Sequence, residues 1–116
     1  MKPLDGKKKD LFQLRAAVFK ALAHPTRLWI VEQLAGGERC VCEFVKAVNA
    51  DFSTVSKHLT ILKQAGLIED DKRGKQVFYR LTIPCVMDFM RCVEKVLKTR
   101  ARAHARVLGP GLAPPS

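Results

Sequence analysis

The sequence predicts a mainly helical domain that carries one small β-hairpin, which is an α+β fold. Apolar residues recur at helical spacing along most of the chain, and the period changes to a strand-like one only around residues 67–81. The chain has 116 residues, enough for a single domain. A domain of this size buries roughly two-thirds of its unfolded surface, so a partner copy would enlarge its core.

Two helices are predicted in the first third of the chain. A single apolar stripe predicts the first one over residues 11–23, with the members Leu11, Leu14, Val18 and Leu22. Pro25 interrupts this pattern and is favoured in a first helical turn, so a second helix is expected from Pro25 to Leu34. Its core-facing residues are expected to be Leu28, Val31 and Leu34.

A short helix and a longer amphipathic one are predicted next. The short helix is expected over Val41 to Val48, and Asp51 is a good N-cap for a following helix from about Phe52 to Gln64. Gly66 is a suitable C-terminal stop. The apolar side of the longer helix is expected to consist of Phe52, Val55, Leu59 and Leu62.

The hairpin and a closing helix complete the predicted domain. Two strands, Leu67 to Asp71 and Gln76 to Leu81, flank a basic turn that contains Gly74. The last helix is expected from Cys85 or Val86 to about Arg100. Residues 1–10 are expected to be a flexible basic N-terminus, and residues 101–116 a flexible tail, first basic and then rich in Gly and Pro. The ordered domain is thus predicted to cover residues 11–100.

The charge of the chain favours a polyanionic partner. The formal net charge is +10, from 21 Lys and Arg against 11 Asp and Glu, which suits DNA. Aromatic residues make up only 7%, too few for the stacking platforms of single-strand binders. No signal peptide or membrane-length apolar run is present, so we expect a cytoplasmic protein with no membrane partner and reduced cysteines.

The longer helix and the hairpin are the predicted DNA-binding elements. A short helix, a tight turn and an amphipathic helix with a small, polar outer face suit insertion into a major groove. The predicted contacts on that helix are Ser53, Thr54, Ser56, Lys57 and His58. Alternatively, the Ser-Thr pair only caps the helix and His58 is an ordinary surface residue. At the hairpin tip, the cations Lys72, Arg73 and Lys75 are expected beside phosphates.

Four segments of the chain resemble the ArsR/SmtB family of metal-responsive repressors: Ala21 to Leu28, Cys40 to Glu43, Ser53 to Leu59, and Gly74 to Leu81. The resemblance implies a dimeric winged helix-turn-helix fold whose first and last helices form the dimer interface. It also implies a homodimer that binds double-stranded operator DNA without any cofactor and is released when a toxic ion binds. An enzyme is not expected, because no nucleophile-base pair, phosphate-binding glycine loop or paired carboxylates stand out.

The pair Cys40 and Cys42 resembles the inducer motif of the arsenic-responsive members, so the implied inducer is trivalent arsenic or antimony. Soft thiolates suit soft ions, and a helix N-terminus is expected to lower a thiol pKa. In a regular helix, positions two apart project about 200° apart, so we expect ion binding by both sulfurs to distort the first turn.

The third thiolate of that motif is missing, since Val45 stands at its position. Cys85 and Cys92 are the candidate replacements, from the same chain or across the dimer. If both lie in one helix they are separated by ~10 Å along its axis, too far to share an ion. The alternative is that both are small residues of the core.

Other functions remain open at this point. The zinc, nickel and cobalt sensors of the family carry an aspartate two residues before a histidine on the closing helix, whereas here Asp88 is followed by Met90. A response to cadmium or lead is an alternative. A thiol-redox repressor is another alternative. In such members of the family the partner cysteine lies in the second helix, at a position that falls near Val31 here, which argues against this version. A constitutive DNA-binding or architectural protein would show no inducer effect.

Overall fold

The computed structural model describes residues 1–108, which form two units, residues 1–83 and the part that begins at Pro84. Each unit is described by itself. Within the described residues the helices are α1 (Gly6–Leu22), α2 (Pro25–Ala35), α3 (Val41–Val48), α4 (Phe52–Gln64) and α5 (Val86–Leu108). The strands are β1 (Arg39–Cys40), β2 (Ile68–Arg73) and β3 (Gln76–Leu81).

Both terminal helices are longer than predicted. The Asp5 side chain accepts a hydrogen bond from the Lys8 backbone N–H at 3.0 Å and caps α1, so the helix begins at Gly6. Residues 6–10 of the segment predicted to be a flexible N-terminus are therefore helical. Helix α5 continues to Leu108 instead of ending near Arg100, so residues 101–108 of the predicted tail are helical. The Gly/Pro-rich stretch at 109–116 lies outside the described residues.

The three middle helices have the predicted positions because their caps are local. The Thr26 backbone N–H donates to Nδ1 of His24 at 3.0 Å, with Pro25 in the first turn of α2. The Thr54 backbone N–H donates to the Asp51 carboxylate at 2.8 Å and starts α4. Between α3 and α4 the chain turns at Asn49, which adopts a left-handed conformation with φ 51°.

The sheet has three antiparallel strands in the order β1-β3-β2. The predicted hairpin is present, with Arg73 opposite Gln76 and a turn at Gly74, whose φ is +63°. Strand β1 was not predicted. It adds to the other edge of β3, where Cys40 lies opposite Phe78. This pairing joins the start of α3 directly to the hairpin.

The core of the first unit lies where α2, α3, α4 and the sheet meet, and its fully buried side chains are Ile30, Val31, Phe44, Val55, Leu59, Leu62 and Ile68. Two residues predicted to face this core do not. Phe52 is 62% exposed because it opens α4 beyond the packed layer, and Leu28 is 37% exposed.

Exposed apolar side chains characterise α1 and α5. On α1, Leu11 and Leu14 are exposed, and Leu22 is the predicted stripe residue that is buried. On α5, the predicted apolar positions Phe89, Val93, Val96 and Leu97 are all exposed within the single chain. A search of the described residues finds no helix of the length and apolar character that a membrane crossing requires.

Candidate nucleic-acid interface and thiol pair

The N-terminal half of α4 presents a polar surface. Ser53, Thr54 and Lys57 are exposed and Ser56 is half-buried, whereas Val55 faces the core. Hydrogen bonds from the Thr54 side chain and backbone, and from the Ser53 side chain, hold the pKa of Asp51 below its usual range. Asp51 therefore provides the N-cap, and both hydroxyls face it at the exposed end of the helix. Four of the five predicted contact residues on α4 are thus brought together.

His58 is the residue of this set that lies elsewhere. Its half-buried ring packs against His24 with ring centroids 4.4 Å apart, and its Nδ1 is buried without a hydrogen-bond partner. Burial lowers the pKa of His58, and the neighbouring His24 and Arg27 lower it further. Its position links α4 to the start of α2.

At the hairpin tip, two of the three cations that were predicted to contact DNA differ in their surroundings. Lys75 is exposed in the turn. Arg73 is held by two carboxylates, with Nη1 at 2.6 Å from Glu38 and Nε at 2.9 Å from Asp71. Lys75 is therefore open to a phosphate, whereas the charge of Arg73 is already compensated within the chain.

The sulfurs of Cys40 and Cys42 lie side by side, with the two Sγ atoms 2.7 Å apart. Cys40 is buried and Cys42 is exposed. The expected projection of the two side chains about 200° apart does not apply, because Cys40 is the N-cap of α3. Its extended conformation, with φ −78° and ψ 147°, turns its side chain over the first turn. The pair is preformed on a regular helix.

Cys40 caps α3 through its sulfur. The Cys42 backbone N–H donates to Cys40 Sγ at 3.4 Å, and the Cys40 backbone N–H donates to the Glu43 carboxylate at 2.8 Å. The Glu43 backbone N–H also donates to the Cys40 side chain, and this contact and the reciprocal one to the Glu43 carboxylate form a capping box in which a thiol replaces the usual hydroxyl. The spacing of Cys40 and Glu43 is the sequence signal for this box, although the sequence reasoning had not used it.

The expected lowering of the thiol pKa is also wrong for Cys42. Its pKa is raised, first by the hydrogen bond with Cys40, then by desolvation and by the negative potential of Cys40 and Glu43. These effects outweigh the backbone hydrogen bond from Glu43, which lowers the pKa. Cys42 is thus a protonated thiol at neutral pH, and loading a soft ion must displace its proton.

The two C-terminal cysteines belong to the second unit. Cys85 directly precedes α5 and Cys92 lies in its second turn. Both are exposed, which contradicts the alternative that they are buried core residues of a single chain. Among residues 1–108, no group of three or more His, Cys, Asp or Glu side chains is arranged to hold a metal ion.

A helix pair joined by a tight turn, followed by a three-stranded sheet with a basic hairpin tip, defines a winged helix-turn-helix regulator. The sequence profile described as "Bacterial regulatory protein, arsR family" matches residues 24–70, from the α2 cap to the middle of β2. A relative with 38% identity over 82% of this chain supports the same family. The chain belongs to the arsR family and is a transcriptional regulator, not an enzyme.

Relatives and solved structures extend the match beyond the profile. The chain is 38% identical to the arsenical resistance operon repressor of Escherichia coli, over 82% of this chain and 88% of that protein. It is similar to NolR from Sinorhizobium fredii, with 25% identity, a TM-score of 0.73, and coverage of 83% and 96%. It is also similar to a homodimeric winged helix-turn-helix domain from Mycobacterium bovis, with 34% identity, a TM-score of 0.70, and coverage of 83% and 89%.

Proposed function

We propose that this protein is a homodimeric repressor that binds operator DNA and is released when trivalent arsenic or antimony binds its cysteine thiolates. The observation that carries the proposal is the adjacency of Cys40 and Cys42, whose sulfurs are in contact at the junction of α3 and the sheet. The similarity to a repressor of an arsenical resistance operon supports the same inducer.

DNA binding is assigned to the exposed start of α4 and to the hairpin tip. Ser53, Thr54 and Lys57 offer hydrogen-bond donors and one positive charge at the end of a helix. Lys75 adds a second exposed cation on the neighbouring hairpin. This arrangement supports a helix in the major groove with the hairpin against the adjacent backbone.

The chemistry of the thiol pair fits a soft, thiophilic ion. Two sulfur donors without neighbouring nitrogen ligands favour such an ion over zinc, nickel or cobalt. Cys42 is exposed and gives access from solvent, while Cys40 is buried beside it. A bound trivalent arsenic would hold these thiolates, together with Cys85, Cys92 or both, in one coordination shell. Because arsenous acid gives up one hydroxide for each thiol proton and the two leave as water, the Cys42 thiol can be loaded without net release of protons.

The route from the thiol pair to the DNA contacts runs through Cys40. Its sulfur caps α3, and α3 packs against α4. Its backbone pairs with Phe78 of β3, one strand of the hairpin. If the Cys40 sulfur no longer accepts the Cys42 N–H, the start of α3 must change its conformation. Because α4 and the hairpin both contact this region, we expect both DNA-binding elements to shift.

The homodimer rests on the apolar side chains that α1 and α5 leave exposed. Leu14, Val93, Val96 and Leu97 are 69%, 42%, 58% and 43% exposed in the single chain. A water-soluble chain gains by covering such residues with a second copy. Size-exclusion chromatography with light scattering tests this point: wild type should be a dimer, and Val96→Asp should shift the population toward monomer.

Fluorescence anisotropy tests the whole proposal. We expect tight binding to a duplex from the protein's own promoter under reducing conditions, and loss of that binding on addition of arsenite. The double variant Cys40→Ser/Cys42→Ser should bind DNA but ignore arsenite. Release by cadmium or lead alone, or by an oxidant without metal, would replace arsenic with one of the alternatives.

The third ligand needs a separate comparison. Cys85→Ser, Cys92→Ser and the double variant are titrated with arsenite on the same duplex. A weakened response in one single variant identifies the third sulfur. An intact response in all three would show that the pair at Cys40 and Cys42 suffices and would remove the C-terminal cysteines from the site.

A further inference from the structure

One ion pair crosses the sheet from the hairpin tip to Glu38, the residue before β1. The Arg73 guanidinium contacts both carboxylate oxygens of Glu38, with Nη1 at 2.6 Å from Oε1 and Nη2 at 2.9 Å from Oε2. Such a two-point contact fixes the plane of the guanidinium as well as its position. The two residues are far apart in the sequence, so the contact is tertiary.

Three further observations describe the surroundings of Arg73. Its Nε donates to Asp71 at 2.9 Å. Its guanidinium carbon lies 4.7 Å from the ring centroid of Phe78, over the aromatic face. Asp71 and Cys40 are both register partners of Phe78 in neighbouring strands, so the chain of contacts runs across the full width of the sheet. The N–H groups of Arg73 that bind Glu38 and Asp71 cannot bind a phosphate at the same time.

The charge at this end of the hairpin is consequently not what the sequence suggests. Two carboxylates surround one guanidinium, which leaves Lys72 and Lys75 as the exposed, uncompensated cations of the tip. Arg73 and Glu38 are nevertheless accessible, with side chains 49% and 31% exposed. An exposed ion pair of this kind is weak enough for a competing anion to open it.

We infer that Glu38 is a positioning residue that holds Arg73 off the DNA backbone in the free protein, so that a phosphate gains the Nη1–Nη2 edge of Arg73 only by displacing Glu38. The inference rests on the proposed DNA-binding function. It differs from that function in concerning contact with phosphate, which does not depend on base sequence. Glu38 therefore limits the affinity of the hairpin for any duplex.

Four proteins test the inference on a duplex of scrambled sequence, by anisotropy over a series of salt concentrations: wild type, Glu38→Gln, Arg73→Ala and the double variant. Glu38→Gln keeps the shape of the side chain but removes its charge. We expect it to tighten binding about two- to fivefold, the range of one exposed ion pair. The salt dependence should steepen by about 0.9 in log–log slope, as for one additional phosphate contact.

The control is Glu69→Gln, which removes the same charge from the same sheet. The Glu69 carboxylate forms an ion pair with Nε of Arg80 at 2.8 Å, and each of the two side chains is 49% exposed. We expect a smaller effect on affinity from this variant. Arg73→Ala should change affinity little in wild type but should abolish the gain in the Glu38→Gln background.

Three results would overturn the inference. The first is equal tightening by Glu38→Gln and Glu69→Gln, which would indicate a general charge effect. The second is a gain that survives in the double variant. The third is weaker binding by Glu38→Gln, which would mean that Glu38 presents Arg73 to DNA. A protein that binds promoter and scrambled duplexes equally would contradict the operator function while leaving these comparisons decisive.

Discussion

The imidazole rings of His24 and His58 pack with their centroids 4.4 Å apart and their planes tilted by 47°. His24 caps α2 through Nδ1, and His58 lies in the middle of α4, so the contact ties the start of α2 to the helix proposed to bind DNA. The buried Nδ1 of His58 has no hydrogen-bond partner in the described structure. A proton there would bring a second positive charge toward Arg27.

This contact predicts a loss of stability at mildly acidic pH. The pKa of His58 is lowered from its ordinary 6.5 by burial, His24 and Arg27. The unfolded chain therefore binds a proton that the folded chain resists. Stability from this residue is complete above about pH 6.5 and falls as the pH drops toward the lowered value. Urea unfolding at fixed protein concentration between about pH 5 and 8 measures the slope.

His58→Gln should flatten that slope even if it reduces stability at pH 8 by removing the ring contact. His104→Gln is the matched control, since His104 is exposed on α5. It should leave the pH dependence as in wild type. A slope that persists in His58→Gln would show that another group is responsible.

The thiol cap predicts a difference between two substitutions at one position. Cys40→Ser keeps an N-cap acceptor for the Cys42 N–H, whereas Cys40→Ala removes it. We expect the Ala variant to be less stable than the Ser variant by about 1 kcal/mol, the usual value of an N-cap. Chemical denaturation provides the comparison.

Cys42 serves as the reference for this prediction. Its exposed side chain provides no cap, so Cys42→Ser and Cys42→Ala should differ by less than about 0.5 kcal/mol. Equal stabilities for Cys40→Ser and Cys40→Ala would contradict a structural role of the Cys40 sulfur.

Two lysines of α4 should differ in their effect on DNA affinity. Lys57 is exposed on the polar face, whereas Nζ of Lys63 forms an ion pair with the Asp70 carboxylate at 3.0 Å. Lys57→Ala should weaken binding to all duplexes and reduce the salt slope by about one. Lys63→Ala, which removes the same charge from the same helix, should change the slope much less. Similar losses in both variants would place the DNA elsewhere.

A residue with a side chain at Gly74 should destabilise the hairpin turn. Its φ of +63° is unfavourable for residues with a Cβ, although an added Cβ would meet no atom within 4 Å. Gly74→Ala should therefore destabilise the fold by about 1 kcal/mol through the backbone alone, and Gly74→Asn by less. At Gly6, which is helical and equally open, the change to Ala should be neutral or stabilising. Thermal unfolding distinguishes these outcomes.

The order of elements was predictable because most helix boundaries here are encoded locally. Asp51 before α4 and Pro25 at the start of α2 are signals that the nearest residues alone explain. Strand β1 could not be predicted, because two residues show no periodicity and their pairing depends on Phe78 and Tyr79, far along the chain. The start of α1 could not be predicted, because the residues that follow Asp5 are charged and form no apolar stripe.

The candidate site was predictable in composition but not in geometry. The sequence identified Cys40 and Cys42 as a pair. The expected side-chain directions assumed a regular helix, whereas Cys40 is an N-cap with an extended backbone conformation. Arg73 was expected at a phosphate, whereas Glu38 reaches it through a tertiary contact. Likewise His58 was placed on the polar surface, although its ring packs on His24. In each case a distant or capping partner decided the outcome.

The capping sulfur of Cys40 has a consequence for how such regulators diverge. One atom serves both the folding of α3 and the proposed recognition of the inducer, so most substitutions there would damage both. Serine is the exception, because its hydroxyl keeps the cap while losing the affinity for soft ions. A single Cys-to-Ser exchange would convert an inducible protein into a constitutive one without cost to its architecture. Descendants that have given up sensing should therefore carry serine at this position more often than alanine or valine.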